Sequence, residues 1–170
     1  MPPFIFGGLC MMKLYNKLYR SPIGMIEIQG TDEQITSILF NEESESDDCG
    51  DECPGVLNEC AMQLDEYFGG KRRTFTFPYQ LDGTIFQQKV WEALTEISYA
   101  ETSTYKEIAV HIENEKAVRG VGSANGRNRL SIVVPCHRII GSNGKLTGYA
   151  GGLWRKEWLL RHERGFKDRK

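Results

Sequence analysis

The chain has 170 residues, 40% apolar and 26% charged, a balance that excludes a disordered or fibrous protein. No apolar run approaches the roughly 18 residues that a membrane span needs, so no membrane association is expected. The net charge of −2 excludes a uniformly basic nucleic-acid coat, yet residues 1–80 carry −7 and residues 81–170 carry +5. The second half thus has the sign to face something anionic, although two solvated surfaces of opposite bias give the same totals.

Residues 1–12 are apolar but lack a basic start and a small-residue cleavage pattern, which argues against a secretory signal. From Lys13 the pattern is β. Lys13–Tyr19, Met25–Gln29 and Ile35–Phe40 are short, rich in β-branched and aromatic residues, and separated by Ser21-Pro22-Ile23-Gly24 and Gly30-Thr31-Asp32. That spacing suits an antiparallel meander. Residues 42–52 hold seven acids in eleven positions and read as a solvated loop. Val56, Leu57, Cys60, Leu64 and Phe68 recur at helical spacing until Gly69-Gly70 stops them, and Lys71–Tyr79 reads as a further strand. Residues 1–80 are therefore read as an N-terminal domain of sheet plus helix.

The five cysteines, Cys10, Cys49, Cys53, Cys60 and Cys136, are odd in number and irregularly spaced. They make a poor disulfide framework and point to a reducing, cytoplasmic setting. Cys49, Cys53 and Cys60 lie close enough to attract zinc, but no second close pair or nearby His completes a tetrahedral set, so no metal is expected.

After Leu81-Asp82-Gly83 the period changes and a second domain, residues 81–170, begins. Thr84 and Gln87 form a capping box ahead of a stripe made by Ile85, Phe86, Val90, Trp91, Leu94 and Ile97. A second box, Thr104 with Glu107, opens a short helix to about His111 with Ile108 inward. Asn114 is placed to cap another helix from Glu115 to about Gly126. Two short helices joined by a tight turn outline a helix-turn-helix. The second contains Gly120, Gly122 and Gly126, each costing about 1 kcal/mol of helix stability relative to Ala. Close approach to a DNA groove or to a neighbouring helix would account for so little side chain.

Pro135-Cys136-His137-Arg138 follows an apolar Ser131–Val134 approach. A thiol beside a base and cations is a setting for a low thiol pKa. Adjacent residues in a strand point apart, so Cys136 and His137 need a turn or a bridging water to work as a pair. An acid must orient the imidazole, and Glu163 is one of several available.

These residues carry a resemblance. Val134-Pro135-Cys136-His137-Arg138-Ile139, Gly144 through Leu153, and Arg155-Lys156-Glu157-Trp158-Leu159-Leu160 are similar to the O6-alkylguanine-DNA alkyltransferases. Thr104-Tyr105, Arg119-Gly120-Val121-Gly122 and Asn128 fall at the offsets that family uses. Residues 84–163 are densely covered, and Ser21-Pro22-Ile23-Gly24 matches more loosely. The Met1–Met11 stretch precedes the match, which makes Met12 a candidate natural start.

The resemblance implies an α+β fold: a small ribonuclease-H-like sheet with helix, then a mostly helical, winged-helix-like domain carrying the helix-turn-helix. It implies stoichiometric transfer of the alkyl group from O6-alkylguanine to Cys136, leaving O4-methylthymine open as a second substrate. His137 removes the thiol proton through a water, Glu163 orients His137, Asn128 holds the turn, and Tyr105 donates a proton to guanine N3. Arg119 fills the stack that the flipped nucleotide leaves. Tyr105, Arg119, Gly122, Ala124, Asn125 and Arg127 form the DNA-binding set. Val134, Pro135, Ser131, Gly148, Tyr149 and Ala150 shape the base pocket. No cofactor and no metal are implied. The implied partner is double-stranded DNA bound through the minor groove by a monomer, in the cytoplasm, or the nucleus of a eukaryote. The rival readings are a non-catalytic protein that recognises alkylated DNA and a thiol hydrolase using Cys136 and His137; retention of the acceptor cysteine counts against the first.

Overall fold

The computed structural model describes residues 4–6 and 9–168, with 4–6 and 9–11 described by backbone pairing alone. Residues 1–3, 7 and 8, on which part of the reading of Met1–Met11 falls, lie outside the described residues. Strands β1 (Phe4–Phe6) and β2 (Leu9–Met11) pair antiparallel. Strands β3 (Tyr15–Ser21), β4 (Gly24–Gly30) and β5 (Ile35–Phe40) form the expected antiparallel meander in the order β3-β4-β5. Its inner face is set by alternation: Ile26, Ile28 and Gly30 of β4 are buried while Glu27 and Gln29 are only half-buried.

Helix α1 (Gly55–Phe68) covers that face with Leu57, Cys60, Leu64, Tyr67 and Phe68. Residues 71–79 do not form the expected strand. The Thr76 amide donates to Gln63 Oε1 at 2.9 Å and Gln63 Nε2 donates to Thr76 Oγ1 at 2.8 Å, so an α1 side chain takes the place of a ladder. Pro78, which lacks an N–H, interrupts the run. A single parallel bridge joins Tyr79 to Ile35.

The second half comprises α2 (Ile85–Thr95), β6 (Ser103–Thr104), α3 (Tyr105–His111), α4 (Val118–Gly126), β7 (Ile139–Ile140) and α5 (Leu153–Phe166). Both capping boxes form, Thr84 with Gln87 and Thr104 with Glu107. Ile85, expected in the buried stripe of α2, is 79% exposed. At about 100° per residue it lies roughly 140° around the helix from Val90, off the face that Val90, Trp91 and Leu94 share. Asn114 does not cap α4, which starts three residues later than expected at Val118. Instead Glu113 takes a left-handed conformation (φ 59°), the Glu113 amide donates to Val110 and the Asn114 amide to Ala109. Asn114 is thus consumed in ending α3 by a Schellman arrangement.

The two halves share one apolar core. Ile26, Ile38, Leu57 and Leu64 join Val90, Leu94, Leu130, Val134 and Leu159 in a single cluster. The outer edge of β5 is closed by later chain: the Ile38 amide donates to Arg129 O at 2.7 Å and the Ser131 amide to Ile38 O at 3.0 Å. An edge covered this way offers no ladder to another molecule, and it fixes the segment that leads to Cys136.

Cys49 and Cys53 form a disulfide, Cα–Cα 4.9 Å, across a 3-10 turn at Gly50–Glu52, contrary to the expectation of free thiols. A five-residue ring needs no wider framework, which is why spacing across the whole chain gave no sign of it. Asp48 lies close to both sulfurs, but the disulfide leaves neither as a thiolate to hold a metal, and Cys60 is buried in the core as a free thiol. No helix among the described residues is long and apolar enough to cross a membrane.

Candidate active site

The segment from Asn128 to Arg138 is a series of tight turns held by one buried amide. Asn128 Nδ2 donates to Val134 O at 2.8 Å and Leu130 O at 3.3 Å, and its Oδ1 accepts from the Leu130 amide at 2.9 Å. Ile132 reverses the chain in a left-handed conformation (φ 73°). Pro135 (φ −80°, ψ 64°) makes an inverse γ-turn that closes with the Cys136 amide donating to Val134 O at 2.7 Å. Cys136–Arg138 then forms a single 3-10 turn. Cys136 and His137 therefore meet the chemical requirement for a turn.

His137 and Arg138 both reach Glu163 of α5. His137 Nε2 stands 2.7 Å from Glu163 Oε2; Arg138 Nε donates to Oε1 at 2.8 Å and Nη2 to Oε2 at 3.1 Å. The Tyr67 hydroxyl adds 2.6 Å to Oε2 and the Ala100 amide 3.1 Å to Oε1. Burial opposes ionisation of Glu163, but His137 and Arg138 outweigh it and hold the carboxyl well below the usual range. An ionised carboxylate only accepts, so His137 Nε2 carries the hydrogen. Burial keeps His137 below its ordinary value and hence neutral. Its lone pair then lies on Nδ1, which is buried and has no protein partner. That nitrogen can accept a hydrogen bond or a proton.

Cys136 is 5% exposed, and burial pushes its thiol up, against the Asn128 amide, the Lys156 ammonium and the Cys136 and His137 amides. The expected low thiol pKa is not found: in this closed surrounding the resting sulfur keeps its proton. Arg138 is not the cation beside it either, because its guanidinium is taken by Glu163 and by Ile97 O at 2.7 Å. The nearby cation is Lys156, fully buried on α5 and lowered to about 8 by that burial. Its Nζ donates to Thr147 O at 2.7 Å.

Thr147–Gly152 forms a loop near the thiol, with Tyr149 close enough to Cys136 to feel its charge. Gly148 (φ 51°) and Gly152 (φ 93°) take conformations that favour glycine. The Tyr105 hydroxyl, from the start of α3, lies 3.2 Å from both the carbonyl and the hydroxyl oxygen of Thr147. The Tyr149 hydroxyl is buried, and burial together with the nearby Cys136 raises it well above the usual phenol range. Ser131, Val134 and Pro135 are buried beneath, while Gly148 and Ala150 are exposed at the rim.

On α4, Arg119, Ser123 and Gly126 face out, as does Arg127 at its C-terminal end, and Gly122 lies opposite the Tyr105 ring. Ala124 and Asn125, placed by sequence in the DNA-binding set, are 2% and 3% exposed. With Val121 they occupy the inward face at i, i+3 and i+4, where the Ala124 carbonyl accepts from Trp91 Nε1 at 2.8 Å. Their side chains do not reach the outer surface.

Sequence reasoning gave no role to Lys156, Tyr67 or Ala100. Lys156 had a visible signal: Lys156, Leu159, Leu160 and Glu163 follow one helical face, which places two charged residues in an otherwise apolar stripe. Tyr67 and Ala100 carried none.

Two family models match the chain. The 6-O-methylguanine DNA methyltransferase ribonuclease-like domain covers residues 14–81, and the DNA binding domain of the same name covers 85–165. A methylated-DNA–protein-cysteine methyltransferase of Methanosarcina acetivorans is 46% identical over 153 residues, 88% of this chain and 98% of that protein. The constitutive enzyme of that name from Bacillus subtilis is 44% identical, over 88% of this chain and 95% of its own. A solved structure of Mycobacterium tuberculosis OGT in complex with DNA superposes with a TM-score of 0.81 at 42% identity, covering 89% of this chain and 94% of that one.

Proposed function

Because the chain belongs to the 6-O-methylguanine DNA methyltransferase family and repairs alkylated DNA by methyl transfer to a protein cysteine, we propose that Cys136 is the acceptor and acts once. The observation that carries this is the neutral His137, its Nε2 held on ionised Glu163 and its Nδ1 left for a proton. Through a bridging water, Nδ1 takes the Cys136 proton. Sulfur then forms a bond to the alkyl carbon as the bond from that carbon to guanine O6 breaks, and the electron pair passes to the departing guanine. Tyr105 gives guanine N3 a proton and recovers one from His137 through solvent. The net exchange is a thiol and an O6-alkylguanine for a thioether and guanine. A neutral thioether is a poor leaving group, so the protein is consumed.

A carbon inside a stacked duplex is out of reach of a buried sulfur, so the nucleotide is flipped into the space bounded by Tyr105, Tyr149, Ser131, Gly148 and Ala150. The outer face of α4 lies along the minor groove as part of a monomer, with Arg119 in the vacated stack and Arg127 toward phosphate. Burial of the sulfur and the lowered Lys156 fit this sequence of events: the thiolate is generated only when the site is filled, with an ammonium beside it. A non-catalytic recognition role has no use for this relay.

Incubation with a duplex containing one O6-methylguanine, followed by peptide mass mapping, is expected to show one methyl on the Cys136 peptide per lesion lost. Lesion removal with Cys136 unmodified, or several lesions removed per chain, would sink the proposal. Cys136→Ala is expected to bind the duplex and leave the lesion in place.

A further inference from the structure

Arg155 stands one residue before Lys156 and makes more polar contacts than any role in folding α5 requires. Its Nη1 donates to Gly151 O at 2.9 Å in the loop near the thiol. Its Nε donates to Ile23 O at 2.7 Å in the β3–β4 turn, and Nη2 to Glu42 Oε1 at 2.7 Å at the end of β5. The guanidinium lies over Phe40, 4.7 Å from the ring centroid, and over Trp154 at 4.5 Å. The fit around it is close. A Cβ at Gly24 would collide with the Glu42 carboxylate and the Arg155 guanidinium, and one at Gly151 would lie 3.0 Å from both Phe40 and Tyr149.

We infer that Arg155 is a positioning residue for alkyl transfer: it clamps the Gly148–Gly152 wall of the base pocket to the N-terminal sheet, so that the sheet sets where the flipped base stands over Cys136. The inference rests on the proposed function and adds to it a task for the first half of the chain, which supplies none of the relay except Tyr67. A planar fork serving three acceptors while packed against two rings is a geometry that an ammonium cannot reproduce. Arg155 is not among the groups that act on the Cys136 thiol, so its loss moves the wall and leaves the thiol chemistry alone.

The test uses the full chain with Arg155→Lys and, at the more exposed partner, Glu42→Gln. Four quantities are measured: the limiting single-turnover rate on an O6-methylguanine duplex, duplex affinity by anisotropy, Cys136 alkylation by iodoacetamide, and melting temperature. For Arg155→Lys the limiting rate is expected to fall about tenfold to a hundredfold, since a wall displaced by an ångström spoils in-line attack. Affinity and iodoacetamide reactivity are expected to stay within about twofold of the wild type. Glu42→Gln keeps an acceptor but loses the charge assistance, and its rate is expected to fall about threefold. Wild-type transfer rates in both variants overturn the clamp, as does a rate loss matched by equal losses in iodoacetamide reactivity and melting temperature. Failure of the wild type to methylate Cys136 would instead overturn the function on which the clamp rests, and the unmutated chain reports that by itself.

Discussion

Glu163 accepts from His137, Arg138, Tyr67 and the Ala100 amide while itself fully buried, so its charge is compensated only as long as every donor stays in place. Glu163→Gln leaves the Arg138 guanidinium buried without a counter-charge and is expected to cost about 3–5 kcal/mol in urea denaturation, besides abolishing fast transfer. Its folded pKa is lowered, so its stabilisation is present above the ordinary carboxylate value of 4.5 and is lost as pH falls below that toward the folded value. His137 is also lowered, which keeps the imidazole neutral below the ordinary 6.5. The acid limb of the single-turnover rate is therefore expected below pH 6.5; a limb above it would mean that another group titrates. Lys156 is destabilising where Glu163 is stabilising, although both contributions rise with pH. Its folded value of about 8 lies below the ordinary 10.5, so between them the unfolded chain binds the extra proton and this contribution rises with pH. Lys156→Met is expected to be more stable than wild type at neutral pH by about 1–3 kcal/mol. That gain should shrink toward about pH 10 in paired urea titrations, and alkyl transfer should be impaired throughout.

At the scale of the element, the three glycines of α4 have three different surroundings. Gly120 faces the Phe86 ring, where a Cβ would stand 3.0 Å from Cζ, so close packing on α2 accounts for it. Gly122 faces Tyr105, and Gly126 faces nothing within 4 Å. Gly120→Leu is expected to destabilise by about 1–3 kcal/mol through overpacking, whereas Gly126→Ala should gain up to about 0.5–1 kcal/mol of helix propensity; thermal melts of the pair separate the two. Arg119 lies exposed on the same helix. Arg119→Ala is expected to slow transfer from duplex DNA while leaving transfer from a free O6-alkylguanine base unchanged. Equal loss on both would remove Arg119 from base flipping.

Across the whole molecule, the acidic first half and basic second half are not independent bodies, because one apolar cluster runs through both and the β5 edge is bonded to residues 129–131. Unfolding is expected to be a single transition. Far-ultraviolet circular dichroism, to which the helices and sheet of both halves contribute, should coincide with tryptophan fluorescence, which reports only Trp91, Trp154 and Trp158 of the second half. The meander, α1, both capping boxes and the turn at Cys136 were legible because each depends on residues a few positions apart: alternation, a helical stripe, a side chain reaching its own helix start. The candidates Cys136, His137 and Glu163 were readable from motif and resemblance. Only the tertiary structure showed that Tyr67, 96 residues from Glu163, shares that carboxylate, that Arg138 is drawn away from the sulfur and Lys156 toward it, and that Ala124 and Asn125 face inward. Local patterns settle which backbone groups bond, whereas burial and charge partnership depend on which elements pack together, and no short window of sequence contains both sides of such a contact.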